Sequence, residues 1–310
     1  MTLRVEAVDL GDDAALGELL DLASSVGTPR APTAQRYRDR IVGSVHATCV
    51  RAREGDATVA AAFGTIMPMI AMDQVQVNAF CRPGEQHAFD AVLTAIDAWA
   101  APLGAIAATA HVSDPTPEET AAWDQTTYAQ VGSRDRLRRG VTPADAQLPE
   151  QLPDGIAVVA LASRPDLEPA ADALWRAGIA DIPSALDFTP GDELTIREEL
   201  ELGARDPFPA SLLIAVDPTG AVAGVAYLAS APGDPTRAGH RLTAVAPAWR
   251  GRGLARGLKV ELIRWAATHG VTVLEASNDE HNVAMRRVNE RLGYELDHQI
   301  VLYRRAIGGG

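Results

Sequence analysis

The sequence predicts a mixed α/β fold, a mostly antiparallel sheet flanked by helices, present twice along the chain. Three observations carry this. In the second half, short β-branched runs alternate with longer stretches of helical period. A hairpin turn is marked at Asp217-Pro218-Thr219-Gly220. Landmarks of the first half also recur in the second. Val77 precedes Arg82 by five residues, as Val245 precedes Arg250. Trp99 and Gly104 repeat as Trp265 and Gly270, and Tyr128 stands four before Gly132 as Asn289 stands four before Gly293. The offsets, 168, 166 and 161, drift in one direction, as loops that gain or lose a few residues require.

The elements follow in order. Residues 1–140 are read as the first copy. Residues 141–155, VTPADAQLPEQLPDG, hold three prolines and three acids without periodicity and read as a linker. The second copy, 156–306, opens on the strand GIAVVAL. SRPDLEPAADALWRAG and PGDELTIREELELG then read as helices from their Pro, Asp and Ser start signals. SLLIAVDPTGAVAGVAYLAS is the hairpin and HRLTAVA the next strand. From Gly251 to His269 the apolar positions Leu254, Leu258, Leu262 and Ala266 form one stripe, which Gly270 terminates. VTVLEAS is a strand, Asn282–Leu292 a helix, and YELDHQIVLYRR a final extended segment.

A chain of 310 residues has room for two cores, and a formal charge of −13 argues against nucleic acid or an anionic membrane surface as partner. Lys259 is the single lysine. Cys49 and Cys81 are isolated, and His46, His87 and His111 lack ligand spacing, so no disulfide framework and no metal are expected. The start MTLRVEAVDLGDDAALGELL has charges where a leader needs an apolar run. The most apolar stretch, 58–72, falls short of the roughly 20 residues that cross a bilayer and holds Gly64 and Pro68. The expectation is a cytoplasmic protein. Two similar halves can mimic a dimer within one chain, so a monomer is expected, with a dimer as the alternative.

One stretch of this acidic chain is basic: VAPAWRGRGLARGLK, 245–259. A strand, then Arg250-Gly251-Arg252-Gly253-Leu254-Ala255, then a helix makes an anion site. The glycines admit a ligand to the backbone, and first-turn N–H groups and the helix dipole face it. It lacks the Gly-Lys-Ser/Thr of a nucleotide P-loop, and G-x-G-x-x-G fails because its last position holds Arg256. Arg-x-x-Gly-x-Ala preceded by Val-x-Pro, together with NDEHNVAMRRVNERLGY (278–294), resembles the GNAT superfamily of N-acetyltransferases. The resemblance covers 156–305 and is most specific from Thr243 to Tyr294.

That resemblance implies two tandem domains of this fold, acetyl-coenzyme A as cofactor and direct transfer of acetyl to a primary amine of a small molecule. It implies that the N–H groups of Arg252, Gly253, Leu254 and Ala255, with Arg250, Gly251 and Arg252, hold the pyrophosphate. Val245 offers main-chain groups and Asn282 a hydrogen bond to the pantetheine arm. The acid position, a tyrosine in many relatives, here holds Asn289, which cannot give up a proton. His240, Asp181, Asp187, Asp279 and Glu280 are candidate bases; Thr243, Asp187 and Asn278 are candidate acceptor-lining residues. In the first copy RPGEQH places Glu85 where Gly253 stands and His87 where Ala255 stands, so that copy is expected to bind no cofactor. Tyr128 is expected to be a packed core tyrosine. Thiol-cofactor biosynthesis and antibiotic modification are both open as settings. The alternatives are a catalytically silent acyl-coenzyme A sensor or partner-binding protein, and an enzyme that acetylates proteins.

Overall fold

The computed structural model describes residues 2–26, 44–66, 73–183, 195–197, 211–231 and 234–308. Contacts divide the chain into two compact units, Met1–Arg134 with His298–Gly310, and Asp135–Asp297.

The first unit contains β1 (Leu3–Ala7), α1 (Asp13–Ser25), β2 (His46–Glu54), β3 (Ala57–Ile66), β4 (Gln74–Cys81), α2 (Gln86–Ala100), β5 (Ala107–Ser113) and α3 (Pro117–Asp124). Its strands lie in the order β1-β2-β3-β4-β5-β12, where β12 is Glu295–Ala306. β4 and β5 are parallel and the other neighbours antiparallel. α1 starts on Asp12, whose carboxylate accepts from the Ala14 and Ala15 N–H groups. α2 buries Phe89, Val92, Leu93 and Ile96 on one stripe against Val75, Val77, Ala108 and Ala110. Each such side chain contributes about 1.5–3 kcal/mol by leaving water.

The second unit begins within β6 (Ala129–Gly140) and continues through β7 (Ala157–Ala160), α4 (Glu168–Ala180), β8 (Leu213–Val216), β9 (Val222–Ala231), β10 (Asp234–Val245), α5 (Leu254–Thr268), β11 (Val273–Asp279) and α6 (Val283–Arg291). The strand order is β6-β11-β10-β9-β8-β7, with β10 and β11 parallel. The expected α5 stripe is buried in full: Leu254, Leu258, Leu262 and Ala266 expose 1% or less. Two glycines set how closely helices approach the sheet. A Cβ on Gly224 of β9 would stand 2.8 Å from Leu258 Cδ1, and one on Gly178 of α4 would stand 2.6 Å from Ala244 Cβ of β10. β9 and β10 are therefore sandwiched, with Val245 packed toward α5 and Ala244 toward α4.

Of the helix expected over PGDELTIREELELG, only residues 195–197 are described. The boundaries 1–140, 141–155 and 156–306 do not follow the contacts. β12 forms a seven-pair antiparallel ladder with β5, from Ile300↔Ser113 to Ala306↔Ala107, so the last strand joins the first unit. An alternating pattern fixes which face a strand buries and is silent on its partner. Residues 141–155 are not a free linker either. Val141 donates to the Thr272 carbonyl at 2.8 Å, and Leu148 and Leu152 pack on the α5 core. Asp145 accepts from Arg139 and from the Thr142 N–H. No helix among the described residues is long and apolar enough to cross a membrane.

Candidate active site

The site begins where two strands part. β10 and β11 pair only at Arg237–Gly239 with Val273–Glu275, after which β10 runs on to Val245 and β11 to Asp279. Two parallel strands that stop pairing before their C-terminal ends leave a wedge. β10 stays on β9 to its end, with a bulge between His240 and Thr243 that sets Arg241 and Leu242 against the single residue Tyr227. The Ala246 N–H donates to the Ala223 carbonyl of β9 at 2.9 Å. Backbone groups alternate along a strand, so those of Val245 point away from β9 into the wedge. The Val245 carbonyl accepts from Arg250 Nε at 3.0 Å; its N–H remains for a ligand.

Past Val245 a 3-10 turn at Pro247–Trp249 leads into the glycine loop. Gly251 has φ +73° and Gly253 φ +86°, left-handed values that favour glycine, and nothing lies within 4 Å of a Cβ built on either. Gly253 is the N-cap of α5 and no side chain caps the helix. Its first-turn N–H groups have no intrahelical partner, so they and the positive end of the dipole face outward over an open backbone. Arg252 is exposed, its guanidinium 5.1 Å from the Trp249 ring centroid. This geometry fits a pyrophosphate.

The counterpart loop of the first unit is built differently. α2 begins at Gln86 with Glu85 as its N-cap, so a carboxylate of the protein already stands at the positive end of that helix. His87 ties it to β2: its ring lies 3.8 Å from Glu85 and 3.0 Å from Glu54. Spacing along the chain did not reveal this cluster, because Glu54 comes from another strand. β4 and β5 pair as far as Val77↔Ala110, so the wedge is closed at the residue matching Val245. Tyr128 is buried against Trp123 with the Arg305 guanidinium 4.8 Å above its ring, and burial raises its phenol well above the ordinary range.

The polar candidates separate by their partners. Arg250 donates to Asp181 Oδ2 at 2.5 Å as well as to the Val245 carbonyl, so its charge is neutralised within the protein. Asp181, the C-cap of α4, is the acidic partner in that pair. Asp279 is buried and accepts from the backbone N–H of His281, with the His281 ring 2.9 Å away. Glu280 is exposed. Asn282 caps α6, accepting from the Met285 N–H at 3.2 Å. Asn278 and Asn289 are both buried, and the Asn289 amide donates to Asn278 Oδ1 at 3.0 Å, leaving Asn278 Nδ2 and Asn289 Oδ1 unpartnered. Asp187 lies outside the described residues.

His240 is the first β10 residue past the last β11 pair, at the apex of the wedge. Its Nε2 lies 2.5 Å from the Tyr294 hydroxyl, and its Nδ1 is buried without a partner. Thr243, beyond the bulge, likewise has an unpartnered hydroxyl. Burial, followed by the charges of Lys259 and Arg139, holds the imidazole well below its ordinary pKa, so it stays neutral. Lys259 is 2% exposed with Nζ 5.5 Å from the Tyr294 ring centroid, and burial pulls its pKa down to about 7. Neither Lys259 nor Tyr294 stands out as functional in the sequence. The available signal was a lone lysine within an apolar helix stripe.

Residues 174–294 match the profile of the acetyltransferase (GNAT) family. A mycothiol acetyltransferase of Arthrobacter sp. (strain FB24) is 28% identical over 191 residues, 59% of this chain and about half, 56%, of that relative. A GCN5-related N-acetyltransferase from Sphaerobacter thermophilus superposes with a TM-score of 0.74 at 18% identity, covering 99% of this chain and 96% of that one. A tandem GNAT protein from the clavulanic acid biosynthesis pathway gives 0.68 at 19% identity, with full coverage of both chains. At such identities the structural likeness is one of fold.

Proposed function

We propose that the second unit, whose residues 174–294 match the acetyltransferase (GNAT) family profile, transfers acetyl from acetyl-coenzyme A to a primary amine of a small molecule. The observation that carries this is the coincidence, in one unit, of an open wedge with an uncapped glycine loop at its mouth. The first unit has neither, so a single cofactor site per chain follows.

Acetyl-coenzyme A supplies an activated acyl thioester. The N–H groups of Arg252 through Ala255 and the Arg252 side chain hold its pyrophosphate. Arg250 acts on the same loop from behind, bracing the Val245 carbonyl. The Val245 N–H donates to the thioester oxygen, where negative charge grows as the amine attacks; a fixed donor there lowers the barrier without reorganising. His240 takes the proton of the amine, directly or through one water, because it alone of the candidate bases combines a neutral side chain with an unpartnered nitrogen at the wedge. Asn278 Nδ2 is free to donate to the bound arm or acceptor. Asn289 is a buried amide with no proton to give, so a thiolate leaving the bound thioester would be protonated by water.

Release of free thiol from acetyl-coenzyme A, followed over a panel of small amines, tests this. Turnover is expected with at least one amine, with kcat falling about 100-fold or more in His240→Asn. The Asn278–Asn289 pair in the acid position favours one alternative, a silent acyl-coenzyme A sensor. Saturable cofactor binding with no turnover on any amine would establish that reading instead.

A further inference from the structure

The chain has a single lysine, and it lies on the buried face of α5, close to Tyr294. Placing an ammonium there is costly unless something uses its charge. Lys259 has no carboxylate partner among the described residues; its neighbour is the face of Tyr294, 5.5 Å from Nζ, and the Tyr294 hydroxyl reaches His240 Nε2 at 2.5 Å. Resting on the reading of His240 as the base, we propose that Lys259 is a positioning residue for acetyl transfer, whose charge, set behind the Tyr294–His240 pair, keeps the imidazole uncharged and its buried Nδ1 unprotonated.

The groups around His240 support the assignment. On β11, Glu275 lies opposite Gly239, and it is taken by Arg237 and stands 3.9 Å from Arg136. On β6, Arg139 is taken by Asp145 and by the Leu292 carbonyl at 2.7 Å. β9 presents Leu228. From the α6–β12 connection comes the neutral phenol of Tyr294, and from α5 comes Lys259. Glu275 and Arg139 each have an ion-pair partner, whereas Lys259 has none among the described residues. The lowered pKa of Lys259, about 7, agrees: the ammonium is charged in the acidic range where an imidazole would otherwise protonate, and fades above it.

The sign of the effect follows. Removing the positive charge favours the protonated imidazole, so His240 titrates at higher pH and the base is lost earlier on acidification. In Lys259→Met the His240 signal, assigned by its absence in His240→Asn, is expected to titrate about one unit higher by NMR. The acid limb of kcat/KM should move up by the same amount, so that the rate below the limb drops about tenfold. Replacing a buried ammonium by a thioether is neutral or stabilising, so the variant is expected to fold, and unchanged affinity for acetyl-coenzyme A confirms that it has. Wild-type protein labelled at the lysine ε-carbon supplies a second measurement, because its single lysine resonance should titrate near 7. A His240 titration unmoved in Lys259→Met, an acid limb that stays put while His240 shifts, or a lysine resonance titrating at the ordinary lysine value each overturns the proposal. None of these outcomes touches the acetyltransferase reading, which stands or falls on cofactor binding and thiol release.

Discussion

Charge at the residue scale is read from partners rather than from residue type. Arg250 and Asp181 each looked suited to chemistry in the sequence, one for a pyrophosphate and the other for a proton. In the fold they neutralise each other across a 2.5 Å hydrogen bond. Asp181→Asn should accordingly leave kcat within about threefold of wild type, since its carboxylate is engaged by Arg250. A loss of 100-fold in steady-state turnover would return Asp181 to the base position. The backbone of the glycine loop was legible because it is local: left-handed φ at Gly251 and Gly253 depends on neighbours in sequence. The His240–Tyr294 contact joins residues 54 apart and the Glu54–His87 contact residues 33 apart, and no spacing rule reaches that far.

Among the elements, α5 carries most of the second unit's organisation. One face buries its leucine stripe on β9, its N-terminus faces the wedge, and Gly257 receives the segment after β6. A Cβ at Gly257 would stand 2.8 Å from the Gln151 carbonyl oxygen and from Leu152 Cδ2. Gly257→Ala should therefore destabilise by about 1–2 kcal/mol in urea unfolding, the strain outweighing the helix-propensity gain of about 1 kcal/mol. Stabilisation would show that residues 148–155 are held loosely. The same segment is fastened by Asp145. Burial raises its pKa, yet the hydrogen bond from Arg139, with those from Thr142, outweighs this and holds the carboxyl below its usual range. A depressed carboxylate contributes stability that is present above its unfolded pKa of about 4 and lost as pH falls through the folded value. Asp145→Asn should flatten the pH dependence of the urea midpoint below about pH 5, where the wild-type midpoint falls. The strands and helices around these sites were legible from period and turn chemistry. The partner of β12 was not, because its hydrogen bonds go to β5, nearly two hundred residues earlier.

For the whole molecule, one order of elements is used twice, and the two copies differ at the parallel strand pair. In both units three antiparallel strands lead into a helix, a parallel strand and a second helix. The units differ in how far the parallel pair is zipped and in what stands at the helix N-cap, Gly253 in one and Glu85 in the other. The repeat and the Glu85 substitution were visible in the sequence; the zipping was not, because it depends on where a ladder stops. A single cofactor site in the second unit is the central claim, and calorimetric titration of the full chain with acetyl-coenzyme A, wild type against Gly253→Glu, tests it most directly. The substitution strains a left-handed position and sets a carboxylate in the anion cradle. One site per chain, weakened at least 100-fold in Gly253→Glu, is the predicted result; two sites, or affinity unchanged by the substitution, would contradict it.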